Sequence, residues 1–552
     1  MNKLACLALV SSGLLAPLPT PAQETNQEVM VEPAGTDLPS AAELEAAGAT
    51  IGRVIIDKQN VFDTSKPGEN KSIFRLANRW HIVTRDSVIE QQLLFRSGDP
   101  FSQRILEESE RLLRVNNYLY DAKITPIRYE EGVVDIRVWT RDLWTLMPGL
   151  SVSRSGGENR TRVELSEQNL LGLGVKVRVS HTENVDRDST SFEYFDKNLG
   201  NSWTSAFFKY SDSSDGGTTQ FNLKRPFYAL DTRWSAGARY FDDEREESFY
   251  DLGNEVAEYK SESEIHSAFW GWSTGLIDGW ARRWTTGIVY DDRDFSAVPD
   301  GELPSLVPED RKLIYPFLGF ELLQDNFQTA SNRDQFERTE DFFLGTRLVA
   351  RLGFATESFG SDRDAIIYSL SASNGYGSIQ RKALFLSAWA SGRVEHGEST
   401  NTQVGVNTRY YNQITEKRLF FMTLEGSWGN NLDLDKLVDL GGDTGLRGYP
   451  LRYQTGDSKF LATAEQRYFT DWYPFRLFRV GGAIFADIGR TWGDNPVGGP
   501  SLGWLKNVGI GLRLGPTRSS GRDVVHIDIA FPLDGDPSID SVQFLIDSKK
   551  SF

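Results

Sequence analysis

Three short stretches carry residue types that could do chemistry, and the surroundings of each favour a plainer role. Gly271-Trp272-Ser273-Thr274-Gly275 has the spacing of a serine hydrolase's nucleophile elbow. That motif needs a strand, a sharp turn and a helix, with an acid and a histidine later in the chain. Here period-two segments flank it, and Trp270, Trp272 and Trp280 suit an aromatic girdle at a membrane interface. A barrel-borne lipase using Ser273 is the alternative; inhibition by a serine-reactive phosphonate, lost on Ser273→Ala, would mark it. Asp291, Asp292, Arg293 and Asp294 could offer carboxylate oxygens to Ca²⁺, or form the tip of an acidic outer loop. The glycine-rich run 441–448 lacks the Lys-Ser/Thr of a phosphate loop. The five histidines have no ligand-like spacing, and the single cysteine, Cys6, leaves no thiolate site or disulfide framework. The sequence therefore predicts no catalytic residue, no cofactor and no metal.

What must position any other site follows from composition and patterning. Lys3, an apolar stretch from Leu4 to Leu18, and Pro19-Thr20-Pro21-Ala22-Gln23 read as a secretory signal peptide over residues 1–22. No later apolar run reaches the roughly 18 residues of a spanning helix. A net charge of −17 argues against nucleic acid as a partner, since phosphate contacts need clustered Lys and Arg. Fifty glycines and 12% aromatics suit strands that are apolar on one side only.

Residues 23–50 are acidic and alanine-rich without periodicity and read as a flexible linker. Residues 51–144 read as β-α-α-β-β, a small α+β domain with a free sheet edge. Thr84 is expected to cap the first helix and Asp99-Pro100 to start the second. From 145 to 552 the pattern turns to period two. Val175, Val177 and Val179 alternate with Lys176, Arg178 and Ser180; Val525, Ile527, Ile529 and Phe531 alternate with His526, Asp528 and Ala530. A sheet in lipid must close so that every backbone group pairs. About 400 residues at about 25 per strand and connection predict a transmembrane antiparallel β-barrel of about 16 strands. Residues 241–247 and 294–310 are expected as outer loops.

Three elements near the end of the barrel are more specific. They are Gly441-Gly442-Asp443-Thr444-Gly445-Leu446-Arg447-Gly448-Tyr449-Pro450, then Gly481-Gly482-Ala483-Ile484-Phe485-Ala486-Asp487-Ile488-Gly489-Arg490-Thr491-Trp492, then Asn507-Val508-Gly509-Ile510-Gly511-Leu512-Arg513-Leu514. In this order, and with Asn169-Leu170-Leu171-Gly172-Leu173-Gly174 upstream, they resemble the BamA/TamA superfamily of outer-membrane assembly and translocation barrels. The 51–144 segment resembles that family's POTRA (polypeptide-transport-associated) domain. There is room for only one, and a polar run, 547–551, precedes the terminal Phe552, so the resemblance is to a divergent single-POTRA member.

The resemblance implies that the loop bearing Leu446, Arg447, Gly448 and Tyr449 folds into the lumen. It places Arg447 against the strand of Phe485, Asp487 and Gly489, near Gly509 and Glu465. A buried guanidinium needs a carboxylate partner, and its planar fork suits bidentate contact. It further implies a non-enzymatic outer-membrane barrel that inserts or translocates polypeptides, with a periplasmic N-terminal domain offering its sheet edge to an unfolded client. Outer-membrane lipids are the expected surroundings, the barrel is expected as a monomer, and a periplasmic partner protein could dock on the small domain. A passive pore for small solutes or lipids is the rival, and steady conductance surviving loss of residues 51–144 would mark it.

Overall fold

The computed structural model describes residues 38–550, apart from 300, 302 and 522. The expected signal peptide and residues 23–37 of the expected linker lie outside the described residues. The stretch expected as linker instead contributes a helix, α1 (Ala41–Ala46), at its end. Ser40 Oγ accepts from the Glu43 amide and Glu43 Oε2 accepts from the Ser40 amide, a reciprocal cap, and Leu44 is fully buried. One cap and one apolar anchor suffice to order a segment too short to show periodicity.

The rest of the small domain comprises β1 (Thr50–Gln59), α2 (Ser72–Trp80), α3 (Asp86–Glu90), α4 (Gln103–Arg114), β2 (Leu119–Glu130) and β3 (Val133–Asp142). Its sheet has the order β1-β3-β2, with β1 parallel to β3 and β2 antiparallel to it. Leu44, Ile51, Ile89, Leu106, Leu113, Val134, Ile136 and Val138 meet in one core. Two helix signals differ from expectation. Thr84 gives its hydroxyl to Asp142 (3.0 Å) rather than to a cap, and Asp99 accepts from the Arg96 amide (2.7 Å) in a turn three residues before α4. Both side chains found partners that sequence spacing cannot reveal.

Residues 146–549 close into a barrel of 20 antiparallel strands rather than about 16. Many strands are joined by two-residue turns, as between Leu146–Ser155 and Glu158–Glu167, so each strand with its connection takes about 20 residues. Residues 241–247, expected as an outer loop, lie within the strand Trp234–Asp251, and Asp291, Asp292, Arg293 and Asp294 lie within Trp280–Ser296. With Asn254–Ile277 between them, these form an extended three-stranded ribbon whose charges pair across strands, as Lys260 does with Glu244 at 2.5 Å. The described residues between Ser296 and Arg311 do form a connection.

Period two sorts the side chains by face. In the strand Leu505–Pro516, Asn507, Gly509 and Arg513 point inward, while Val508, Ile510 and Leu512 are exposed on the outside. The outside also carries an aromatic cluster, Trp270, Trp272, Trp284 and Phe320, with neighbouring ring centroids 4.5 to 6.3 Å apart. Two small hairpins stand apart from the barrel order: Val438–Leu440 with Gln454–Gly456, and Phe327–Ala330 with Glu340–Phe343.

Candidate functional site

The segment 441–453 turns back into the barrel. Leu446 and Tyr449 are fully buried, in one cluster with Leu440, Leu461 and Leu505. The Tyr449 hydroxyl donates to Asp534 Oδ1 at 2.6 Å and accepts from the Lys506 amide at 2.9 Å, which pins the loop to two strand ends. Gly448 and Gly489 are required by closeness: a Cβ would stand 2.6 Å from Asn507 Cβ at the first and 2.8 Å from Leu440 Cδ2 at the second.

Arg447 lies at the centre. Its Nε and Nη2 donate to the two oxygens of Asp487 at 2.9 and 2.7 Å, and Nη1 donates to Glu465 Oε1 at 2.8 Å. Asp528 Oδ2 is 3.6 Å from the same Nη1. The face of the guanidinium lies 3.4 Å from the centroid of the Phe485 ring. A Cβ on Gly509 would collide with that ring, so glycine there makes the room for the stack. Asp487 also accepts from Thr463 Oγ1 (2.9 Å) and Asn507 Nδ2 (2.8 Å). Phe485, Asp487, Glu465 and Gly509 therefore surround Arg447 in one buried cluster.

The cluster extends beyond them. Glu465 turns its other oxygen to Arg467 Nε at 2.9 Å, and Arg513 pairs with Asp528. Three guanidinium groups thus face three carboxylates, and charge balance makes their burial tolerable. Arg467 was within reach of sequence reasoning, two residues from Glu465. Arg513 falls within the third motif without being singled out, and Asp528 reads only as a polar position of an alternating strand.

Through Arg467 the network meets the second insert. Arg467 Nη1 donates to the Arg333 carbonyl at 3.1 Å and lies 3.5 Å from Asp334 Oδ1. The segment 326–344 enters the opposite mouth of the barrel. Its Ala330, Phe336, Phe342 and Leu344 pack among the inward-facing Leu419, Phe421, Phe469, Ala483 and Val524. From outside, the small domain holds the same segment. Arg114 clasps Asp341 with two bonds of 2.8 and 2.6 Å, Asp121 accepts from Thr339 Oγ1 at 2.7 Å, and Arg338 donates to the Leu119 carbonyl at 2.7 Å. No motif announced this hairpin, because its alternation resembles that of the strands beside it.

Asn169–Gly174 forms a second seat for the small domain. Asn169 Nδ2 donates to Thr84 Oγ1 at 2.9 Å, and the Gly172 carbonyl accepts from the Arg85 amide at 3.1 Å. A Cβ on Gly172 would stand 2.7 Å from the Val83 carbonyl oxygen, at a φ of +73°. Ser273, in contrast, lies inside the strand Asn254–Ile277, which turns directly into the next strand rather than a helix. Its hydroxyl accepts from the Gly275 amide. Arg293 pairs with Asp291 at 2.8 Å, and among the described residues no cluster of three metal-ligating groups occurs.

Fold and site together define a closed 20-strand β-barrel with a charged lumen entered from both ends and a small domain clasped at one mouth. Solved structures of similar fold include BamA from Haemophilus ducreyi lacking POTRA domains 1–3. It is 13% identical over 90% of this chain and 84% of that one, with a TM-score of 0.40. CdiB from Acinetobacter baumannii is 13% identical over 91% of this chain and 74% of that one, with a TM-score of 0.43. CdiB from Escherichia coli is 11% identical over 93% and 91%, with a TM-score of 0.36. No family model and no curated protein matches the chain.

Proposed function

We propose that this chain is an outer-membrane barrel of the BamA/TamA type, which inserts or translocates polypeptides and carries out no covalent chemistry. The observation that carries the reading is the seam. Among the described residues, the last strand, Gln543–Lys549, joins the first, Leu146–Ser155, through a single register pair, Ile546 with Arg154. The first strand pairs with its other neighbour over ten positions and the last with its own over seven. A ladder with so few backbone bonds opens at the smallest cost in the barrel, and an opened ladder presents strand edges to an incoming strand.

The small domain is read as a POTRA domain on the periplasmic side. It suits client capture because, beyond the bridge of Thr50 with Pro100, β1 pairs among the described residues only with β3, leaving the other edge of Val54–Gln59 for an extended client. A steady pore fits less well, since a loop from one end and a hairpin from the other occupy the lumen. Depletion of the chain, followed by quantitative proteomics of the outer-membrane fraction, tests the reading. Selective loss of particular outer-membrane or secreted proteins is expected. An unchanged proteome with altered uptake of small solutes would overturn it in favour of the pore.

A further inference from the structure

We propose that α2 is an interfacial helix, lying on the membrane leaflet next to the small domain and holding anionic phospholipid headgroups with its basic side. The proposal rests on the reading that the barrel spans a membrane. At about 100° per residue, Ile73, Leu76, Ala77 and Trp80 share one arc of the helix, while Arg75 and Arg79 lie across from it and Lys71 immediately precedes it. Phe74, beside that arc, is buried and stacks on Phe62 at 4.4 Å between centroids. Ile73 and Trp80 are 66% and 72% exposed. A contiguous apolar patch of this kind marks a surface that something covers.

Its position indicates what covers it. Ile73, Phe74 and Ala77 line a cleft of about 280 Å³ together with Leu477, Phe478 and Pro516 of the barrel rim. Phe478 opens the strand Phe478–Trp492 on its outward face, the face that further along carries the exposed Ile484. Trp472 and Phe475, in the turn before that strand, are exposed as well. The apolar arc of α2 is therefore continuous with the lipid-facing wall. Charge points the same way. In a chain of net charge −17, Lys71, Arg75 and Arg79 gather on one helix, and among the described residues none of them is in an ion pair. Tryptophan and leucine on one side with arginine on the other is the composition of a helix that lies in the headgroup boundary.

Site-directed spin labels test this on the full-length chain with Cys6→Ser, reconstituted in phosphatidylethanolamine vesicles containing phosphatidylglycerol. Labels on Ile73→Cys, Arg79→Cys and, as a control on the barrel wall, Ile510→Cys are compared for collision with oxygen and with a water-soluble nickel chelate. The expected result is oxygen-rich, nickel-poor surroundings at 510 and 73, and several-fold greater nickel access at 79. Adding Arg75→Glu with Arg79→Glu should raise nickel access at 73 while leaving 510 unchanged. Equal nickel access at 73 and 79 with 510 in lipid overturns the proposal and spares the barrel reading. So does indifference of 73 to the charge reversal. A water-exposed 510 overturns both. Dipolar broadening at 73 that vanishes on dilution with unlabelled protein would assign the patch to a second copy and overturn the lipid assignment.

Discussion

Arg447 contributes to the barrel through the cost of leaving its partners alone. Asp487 gains both of its charge-assisted hydrogen bonds from this one guanidinium, and Glu465 gains one from it and one from Arg467. Removing one partner of a buried pair leaves an uncompensated charge, a loss on the order of 3–5 kcal/mol. Arg447→Ala should therefore lower the urea midpoint of the barrel and reduce the fraction that keeps heat-modifiable gel mobility. Arg447→Lys should recover only part of it, because an ammonium cannot bridge two carboxylates in the planar geometry seen here. A wild-type midpoint in Arg447→Ala would refute the idea. The residues around Arg447 were legible through what the three motifs resemble, which placed Arg447 beside Phe485, Asp487, Glu465 and Gly509. Arg513 and Asp528 are joined to them only by strand register, which sequence spacing does not supply.

At the scale of elements, the hairpin between Asn326 and Leu344 links everything else. It is clasped by α4 and β2 on one side and by Arg467 on the other, so the small domain and the lumen network share it. Glu340, where the hairpin's ladder meets its connecting loop, accepts from the amides of Arg333, Asp334 and Gln335. Burial first, and the neighbouring Asp334 carboxylate second, nevertheless push its carboxyl up to about 8. The folded hairpin thus holds a proton that the free segment gives up in the ordinary carboxylate range. Stability from this group is fully present below about pH 4.5, falls as pH rises, and is lost once pH passes about 8. Openings in planar-bilayer conductance should be more frequent at mildly alkaline pH than at acid pH, and Glu340→Gln should flatten the dependence. A wild type with no pH dependence would remove this account of the hairpin. Strand count went astray at the same scale. A spacing of about 25 residues suits long outer loops, whereas these strands run long and turn tightly, which places 20 strands where about 16 were expected.

For the whole molecule, the fold class was readable from period two sustained over hundreds of residues, because alternation at that length leaves few ways to satisfy the backbone. Where the small domain sits was not readable, since docking relies on single contacts such as Asn169 with Thr84 and Arg114 with Asp341. The central claim is that polypeptides pass at the seam between Leu146–Ser155 and Gln543–Lys549. It is tested most directly by joining the one register pair that holds the seam. Cells depleted of the native chain would carry the Arg154→Cys, Ile546→Cys variant, with the two thiols either free or bridged by a short bifunctional reagent. Outer-membrane levels of the affected client proteins are then measured. Restoration with the thiols free and loss on bridging, with the barrel folded in both states, is the expected result. Full restoration by the bridged barrel would contradict the claim.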